Sequence, residues 1–171
     1  MTGTRVKVRE YKVGGTAARP RRPNILLIEN KVQLKPSLAF SPGGEMAGDV
    51  VELGDNVTRC KVGDRVAGLT GYGAFAEEVI VPEQNLLPVP DGMSDEKAAA
   101  FTMVYGTSYY ALKQRGNLQP GESLLVLGAC GGGGLATVER GKGLGAGVLG
   151  AARSAEKQAV AKEQDADVGL N

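Results

Sequence analysis

Histidine is missing from all 171 residues, and with it go imidazole general-base chemistry and histidine-ligated metal sites. Cysteine is nearly missing. Cys60 and Cys130 are too few for a disulfide framework or a four-thiolate zinc lobe, and a reducing compartment is the simpler reading. No apolar run approaches the roughly 20 residues needed to cross a bilayer, and no secretory hydrophobic stretch follows Met1. With 42% hydrophobic and 23% charged residues, the chain can bury one ordinary domain, or one small domain and part of another. Its 26 glycines are scattered at turns and form no repeat.

A net charge of +1 conceals an asymmetry. Residues 1–22 carry seven Lys/Arg against one Glu, which leaves 13 basic and 18 acidic residues in 23–171. Gly14, Gly15 and Pro20 interrupt any long helix in this basic segment, while Val6 and Val8 alternate with charges as in a strand. A poorly anchored tail is the favoured reading, with a mitochondrial targeting segment or a partner-binding arm as alternatives. The composition assigns no nucleic-acid or membrane partner. Cytoplasmic localisation follows, with mitochondrial as the alternative.

Beyond the tail, "NILLIEN" is a short apolar run of strand or turn-helix type. "EMAGDVVEL", "KVGDRVAGL", "AFAEEVIVP" and "NLLPVP" are short strands separated by Gly-Asp, Gly-Tyr-Gly and Pro turns. Their spacing implies a small barrel or sandwich. Ser94 is a good N-cap for a helix that begins near Glu96, Gly106 is read as its break, and a second helix runs from Thr107 to about Gln114. From Ser123 the pattern is β-α-β-α-β, with "SLLVLGA" the continuous apolar strand of a buried parallel sheet. The expected organisation is a basic segment 1–22, a barrel part with connecting helices 23–116, and half of a doubly wound domain 117–171.

Ala129-x-Gly131-x-x-Gly134 sits between the first strand and first helix of that half, where a dinucleotide fingerprint belongs, with Ala in the first slot. Small residues there let the backbone turn tightly and approach a pyrophosphate, and the helix N-terminus favours its charge. Cys130, Gly132 and Gly133 complete the turn. Cys130 is read as a small filler. An NAD site would show Asp or Glu at the end of the second strand. Arg153, Ser154 and Lys157 stand there instead, two cations and a hydroxyl suited to a 2′-phosphate. A solvated basic helix start is the alternative, and NADP(H) is the preferred cofactor.

"SPGGEMAGDVVELGDNVTRCKVGDRVAGL", "YGAFAEEVIVP" and "AAAFTMVYGTSYYALKQRGNLQPGESLLVLGACGGGGLA" resemble the zinc-free quinone oxidoreductase branch of the medium-chain dehydrogenase/reductase superfamily. The resemblance implies an α/β chain: part of a GroES-like β-barrel, then the first β-α-β-α-β half of a Rossmann domain. It also implies NADPH as hydride donor and a small quinone or enone as acceptor. Thr107 of "YGTSYYAL" would lie near the nicotinamide, with Tyr109 and Tyr110 as packing residues. Gly44-Glu45 lacks the histidine of zinc-dependent relatives, which makes Glu45 a structural carboxylate. Asp64-Arg65 reads as hairpin-turn chemistry with a weak surface ion pair.

Departures from the family pattern accompany the resemblance. Residues 1–22 do not follow it: Arg21 falls where an Asn faces the nicotinamide, and Val32 replaces a Tyr that lines the acceptor pocket. Arg140 and Gly143 occupy helix positions where an apolar residue and an alanine are usual. A dinucleotide fold needs two mononucleotide halves, so the chain reads as shortened at both ends and impaired in catalysis. The alternative function is a non-catalytic isoform that binds nucleotide, forms a homo-oligomer or pairs with a full-length relative.

Overall fold

The computed structural model describes residues 4–8, 22–55, 57–163 and 166–170. The chain divides into two compact units, Met1–Thr102 and Met103–Asn171.

In the first unit, β1 (Thr4–Val8), β2 (Glu45–Glu52), β3 (Arg65–Leu69), β4 (Glu78–Val81) and β5 (Leu86–Pro88) form an antiparallel sheet in the order β4-β1-β2-β3-β5. Alternation along β2 sends Met46 and Val50 to one face, where they are buried with Val66, Ala74, Val81 and Leu86. On the other face Ala47 and its cross-strand partner Ala67 pack with Ala98 of α2 (Asp95–Tyr109). Two alanines on the sheet give the helix room to approach closely. Glu45 is buried at the start of β2, opposite Leu69.

The N-terminal strand corrects the reading of residues 1–22 as a tail. Val6 is paired with Val50 on one side and Val79 on the other, so β1 is an inner strand of the sheet. Its partners lie more than 40 residues away, and the flanking charges mask the short Val-x-Val alternation. The remainder of that segment, including Arg21, lies outside the described residues. The "NILLIEN" run belongs to α1 (Arg22–Ile28), which settles its type as helical.

Asp64 makes the expected turn, its carboxylate accepting the Lys61 N–H at 3.0 Å. The ion pair of Arg65 is different from the one read in sequence. Its guanidinium donates to Asp95 Oδ1 at 2.6 Å and to the Met93 carbonyl at 2.7 Å, tying β3 to the start of α2. The Asp95 carboxylate and the neighbouring acids hold the Arg65 pKa above its ordinary value.

Helix α2 also departs from expectation. It runs through Gly106 to Tyr109 and continues as one wider π-turn, Tyr110–Arg115, instead of breaking into two helices. A mid-helix glycine costs about 1 kcal/mol, and packing downstream of it offsets that cost: Ser108 and Leu112 are buried within the second unit. The division between the two compact units, Thr102 to Met103, falls inside α2. Tyr109 and Tyr110 are 46% and 51% exposed, so they are surface residues and not packing residues.

The second unit is a parallel three-stranded sheet, β6 (Ser123–Leu127), β7 (Gly147–Ala151) and β8 (Val168–Leu170), in that order. Helices α3 (Gly132–Gly143) and α4 (Ala155–Glu163) connect the strands. Val126, Ala129, Val138, Val148 and Ala161 form the core with Leu112 and Leu118. This is the expected β-α-β-α-β order. No helix among the described residues is long and apolar enough to cross a membrane.

Candidate functional site

Because β6 and β7 are parallel neighbours, their carboxyl ends lie side by side, and the segments that follow are joined directly. The Ala129 N–H donates to the Ala151 carbonyl at 3.1 Å. The start of the glycine turn after β6 is thereby tied to the end of β7, two residues before Arg153. A crevice beyond the carboxyl ends of parallel strands is where α/β folds bind ligands.

The turn is built from close approaches. Gly128 has φ +68°, a left-handed conformation that glycine adopts without cost, and its carbonyl accepts the Gly131 N–H at 3.0 Å. A Cβ on Gly134 would lie 2.8 Å from Ala129 Cα and closer still to the Gly128 carbonyl oxygen, so helix and strand could not meet with a side chain there. Gly133 is the opposite case: a Cβ would meet nothing within 4 Å. The turn is tight beneath and open above.

Gly131 is the N-cap of α3, in extended conformation, and its carbonyl accepts the Leu135 N–H at 2.8 Å. The N–H groups of Gly132, Gly133 and Gly134 belong to the first turn, where no carbonyl of the helix can reach them. Together with the helix dipole they make a donor set for an anion. Ala129 is a different kind of member. It is completely buried against the core, and its N–H is engaged by Ala151, so it shapes the turn without offering a donor. Cys130 is partly buried and its thiol is free.

Arg153, Ser154 and Lys157 are all exposed, on the segment into α4 and its first turn. Ser154 Oγ accepts the Lys157 N–H at 3.4 Å, and its carbonyl accepts the Gln158 N–H at 3.0 Å, so Ser154 caps α4. That leaves its hydroxyl proton and both cations available to a phosphate. Thr107 is exposed on the last turn of α2, beside residues that touch the glycine turn. Val104 lies 3.9 Å from where a Cβ of Gly132 would stand, and Ser108 reaches the Gly133 carbonyl at 3.4 Å. The structure thus brings the turn and the Arg153 segment together, and places Thr107 on the helix packed against the turn.

Ser108 and Thr137 were missed in sequence. Their hydroxyls are 2.9 Å apart, and Thr137 Oγ1 donates to the Gly133 carbonyl at 2.7 Å. A hydroxyl in mid-helix carries no sequence signal, and its partner lies 29 residues away. Nearby, the Tyr105 hydroxyl bonds Glu139, which holds the phenol pKa above its ordinary value. The Arg140 guanidinium lies 6.0 Å from the Tyr105 ring centroid, a cation–π contact, while its Nε is buried with no hydrogen-bond partner. Gly143 stands in open space. Among the described residues no three His, Cys, Asp or Glu side chains group to hold a metal ion.

The alcohol dehydrogenase GroES-like domain family matches residues 4–91, which includes strand β1. A quinone oxidoreductase-like protein 2 homolog of Nematostella vectensis is 44% identical over 142 residues, 82% of this chain and 39% of that protein. The solved quinone oxidoreductase of Pseudomonas syringae superposes with a TM-score of 0.86 at 34% identity, over 99% of this chain and 50% of that one. The Escherichia coli quinone oxidoreductase complexed with NADPH gives a TM-score of 0.84 at 27% identity, again over 99% of this chain and 50% of that one. The chain spans about two fifths to one half of the length of these proteins.

Proposed function

We propose, from the premise that this chain belongs to the GroES-like alcohol dehydrogenase family and to the quinone oxidoreductase branch of the medium-chain dehydrogenase/reductase superfamily, that its glycine turn holds the pyrophosphate of NADPH. The observation that carries this reading is the turn itself: closed beneath by Gly128 and Gly134, open above Gly133, and hydrogen-bonded to the segment bearing Arg153 and Ser154. A pyrophosphate fits such a cradle, because it needs backbone donors and space and no side chain in the way.

The residues divide the work. The Gly132, Gly133 and Gly134 N–H groups bind the pyrophosphate. Arg153 and Lys157 neutralise a 2′-phosphate, and the Ser154 hydroxyl donates to it. Thr107, by the family resemblance, lies toward the nicotinamide. NADPH when bound supplies the hydride that reduces a quinone or α,β-unsaturated carbonyl. In the full family fold that acceptor chemistry belongs to a longer protein than these 171 residues.

A polypeptide limited to these 171 residues is expected to bind NADPH without turning it over. Three strands supply one mononucleotide half, while the nicotinamide needs support from a second. Loss of such positioning removes roughly 7 to 11 kcal/mol of barrier lowering. The alternative function is a non-catalytic nucleotide- or partner-binding module. A steady-state assay with NADPH and 1,4-benzoquinone, corrected for the direct chemical reaction, tests the catalytic part. The expected result is nucleotide binding with no turnover above background. Turnover on the order of 1 per second or faster, the ordinary enzyme range, would show that one half suffices or that a second copy completes the site.

A further inference from the structure

Three consecutive glycines open α3, and a run of glycine is the least rigid way to begin a helix. Such a turn would lose much of its anion-binding advantage if the N–H groups had to be ordered at the moment of binding. The structure holds it from outside. Ser108, 4% exposed on α2, and Thr137, one turn into α3, join their hydroxyls at 2.9 Å directly below Gly133.

The two hydroxyls have two protons and more acceptors than protons, the Gly133 carbonyl at 3.4 Å from Ser108 among them, and two of the arrangements link the hydroxyls to each other. In one, Thr137 donates to Ser108 and Ser108 donates to the Val104 carbonyl at 2.8 Å. In the other, Ser108 donates to Thr137 and Thr137 donates to the Gly133 carbonyl at 2.7 Å. The second forms a chain from α2 to the glycine turn. Its last O–H points along α3 toward the N-terminus and adds to the helix dipole. It also polarises the Gly133–Gly134 peptide, whose N–H is one of the donors of the first turn. An anion above the turn favours that arrangement over the first.

We infer that Ser108 is a positioning residue for the pyrophosphate turn, acting through Thr137 on the Gly133 carbonyl. It touches no ligand. This rests on the reading of the turn as a pyrophosphate site. The Val104 carbonyl of its own helix could accept the Ser108 proton instead, so the bond to Thr137 is not needed to satisfy Ser108.

The test is calorimetric titration of the 171-residue chain and of Ser108→Ala, Thr137→Val and Thr137→Ser with two ligands. NADP⁺ carries the pyrophosphate; adenosine 2′-monophosphate lacks it and reports only on the 2′-phosphate contacts. Wild type is expected to bind NADP⁺ the more tightly. Ser108→Ala and Thr137→Val are expected to weaken NADP⁺ about fivefold to tenfold, about 1 to 1.4 kcal/mol, and to leave adenosine 2′-monophosphate unchanged. Thr137→Ser, which keeps the hydroxyl, retains wild-type affinity. The double variant Ser108→Ala with Thr137→Val is no weaker than Thr137→Val alone, because Ser108 acts only through the Thr137 hydroxyl. Equal losses for both ligands would show general damage to the fold and overturn the assignment, as would unchanged NADP⁺ affinity in Ser108→Ala, whatever Thr137→Val does. A wild type that binds NADP⁺ no more tightly than adenosine 2′-monophosphate would overturn the pyrophosphate reading itself, and the role of Ser108 with it.

Discussion

Two adjacent glycines in the same turn answer to opposite constraints, and their substitution separates folding from binding. At Gly134 a methyl group collides with the backbone of Gly128 and Ala129, which cannot give way as a flexible side chain could. Gly134→Ala is expected to destabilise the second unit by about 1 to 3 kcal/mol, the usual cost of overpacking. At Gly133 the methyl group meets nothing and lowers the entropy of the unfolded chain, which stabilises by about 0.4 to 1 kcal/mol. The same methyl group stands where the pyrophosphate would. Gly133→Ala is therefore expected to raise the melting temperature and weaken NADPH binding, read by thermal denaturation with and without nucleotide. A Gly133→Ala variant that binds NADPH as tightly as wild type would place the anion elsewhere. Some residue-scale features were legible in sequence, among them the fingerprint glycines and the three polar residues after β7. Others were not, because they depend on contacts distant in the chain. Arg65 finds Asp95 across 30 residues, and Ser108 finds Thr137 across 29. Ala129 was legible as a small residue, but that its N–H is engaged by Ala151 follows only from the parallel pairing of β6 and β7.

Among the elements, the sheet of the second unit is held at its far edge by Asp167, which precedes β8. Its carboxylate accepts from Lys142 Nζ at 2.7 Å and from the Val148 N–H at 2.7 Å, linking the end of α3 and strand β7 to the start of β8. The lysine bond first, and the backbone N–H second, depress the Asp167 pKa below its ordinary 3.8. A carboxylate whose pKa is lower in the folded state adds stability above the unfolded value, and this is lost as pH falls through the depressed folded value. Asp167→Asn is expected to lower stability at neutral pH and to flatten the loss of stability below pH 3.8, as followed by far-UV circular dichroism in an acid titration. An acid transition of Asp167→Asn as steep as that of wild type would assign acid sensitivity to other carboxylates. Elements with strong local patterns were the ones read correctly. Strands β2 to β4 alternate or carry β-branched residues between turn residues, and β6 is a continuous apolar run. Strand β1 was misread because five residues flanked by positive charge carry little pattern, and its place comes from pairing with β2 and β4. The helix through Gly106 was misread for a related reason. Glycine is only a weak breaker, and the burial of Ser108 and Leu112 decides the outcome.

For the whole molecule, the family and both architectures are readable in the sequence. The residues that carry them are local turns and strand patterns dense enough to survive departures such as Arg140 and Gly143. In the structure Arg140 lies over the Tyr105 ring with its Nε buried and unpartnered, and a side chain at Gly143 would face open space. Residue groups from two elements, the turn after β6 and the start of α4 after β7, are the ones proposed to hold the pyrophosphate and the 2′-phosphate of NADPH. The central claim is that this combination selects NADP(H). The most direct measurement is calorimetric titration of the 171-residue chain with NADP⁺ and with NAD⁺, which differ only in the 2′-phosphate. Arg153, Ser154 and Lys157, with no acid at the end of β7 to hold ribose hydroxyls, predict at least about tenfold tighter binding of NADP⁺, or about 1.4 kcal/mol. Equal affinities, or tighter binding of NAD⁺, would contradict it.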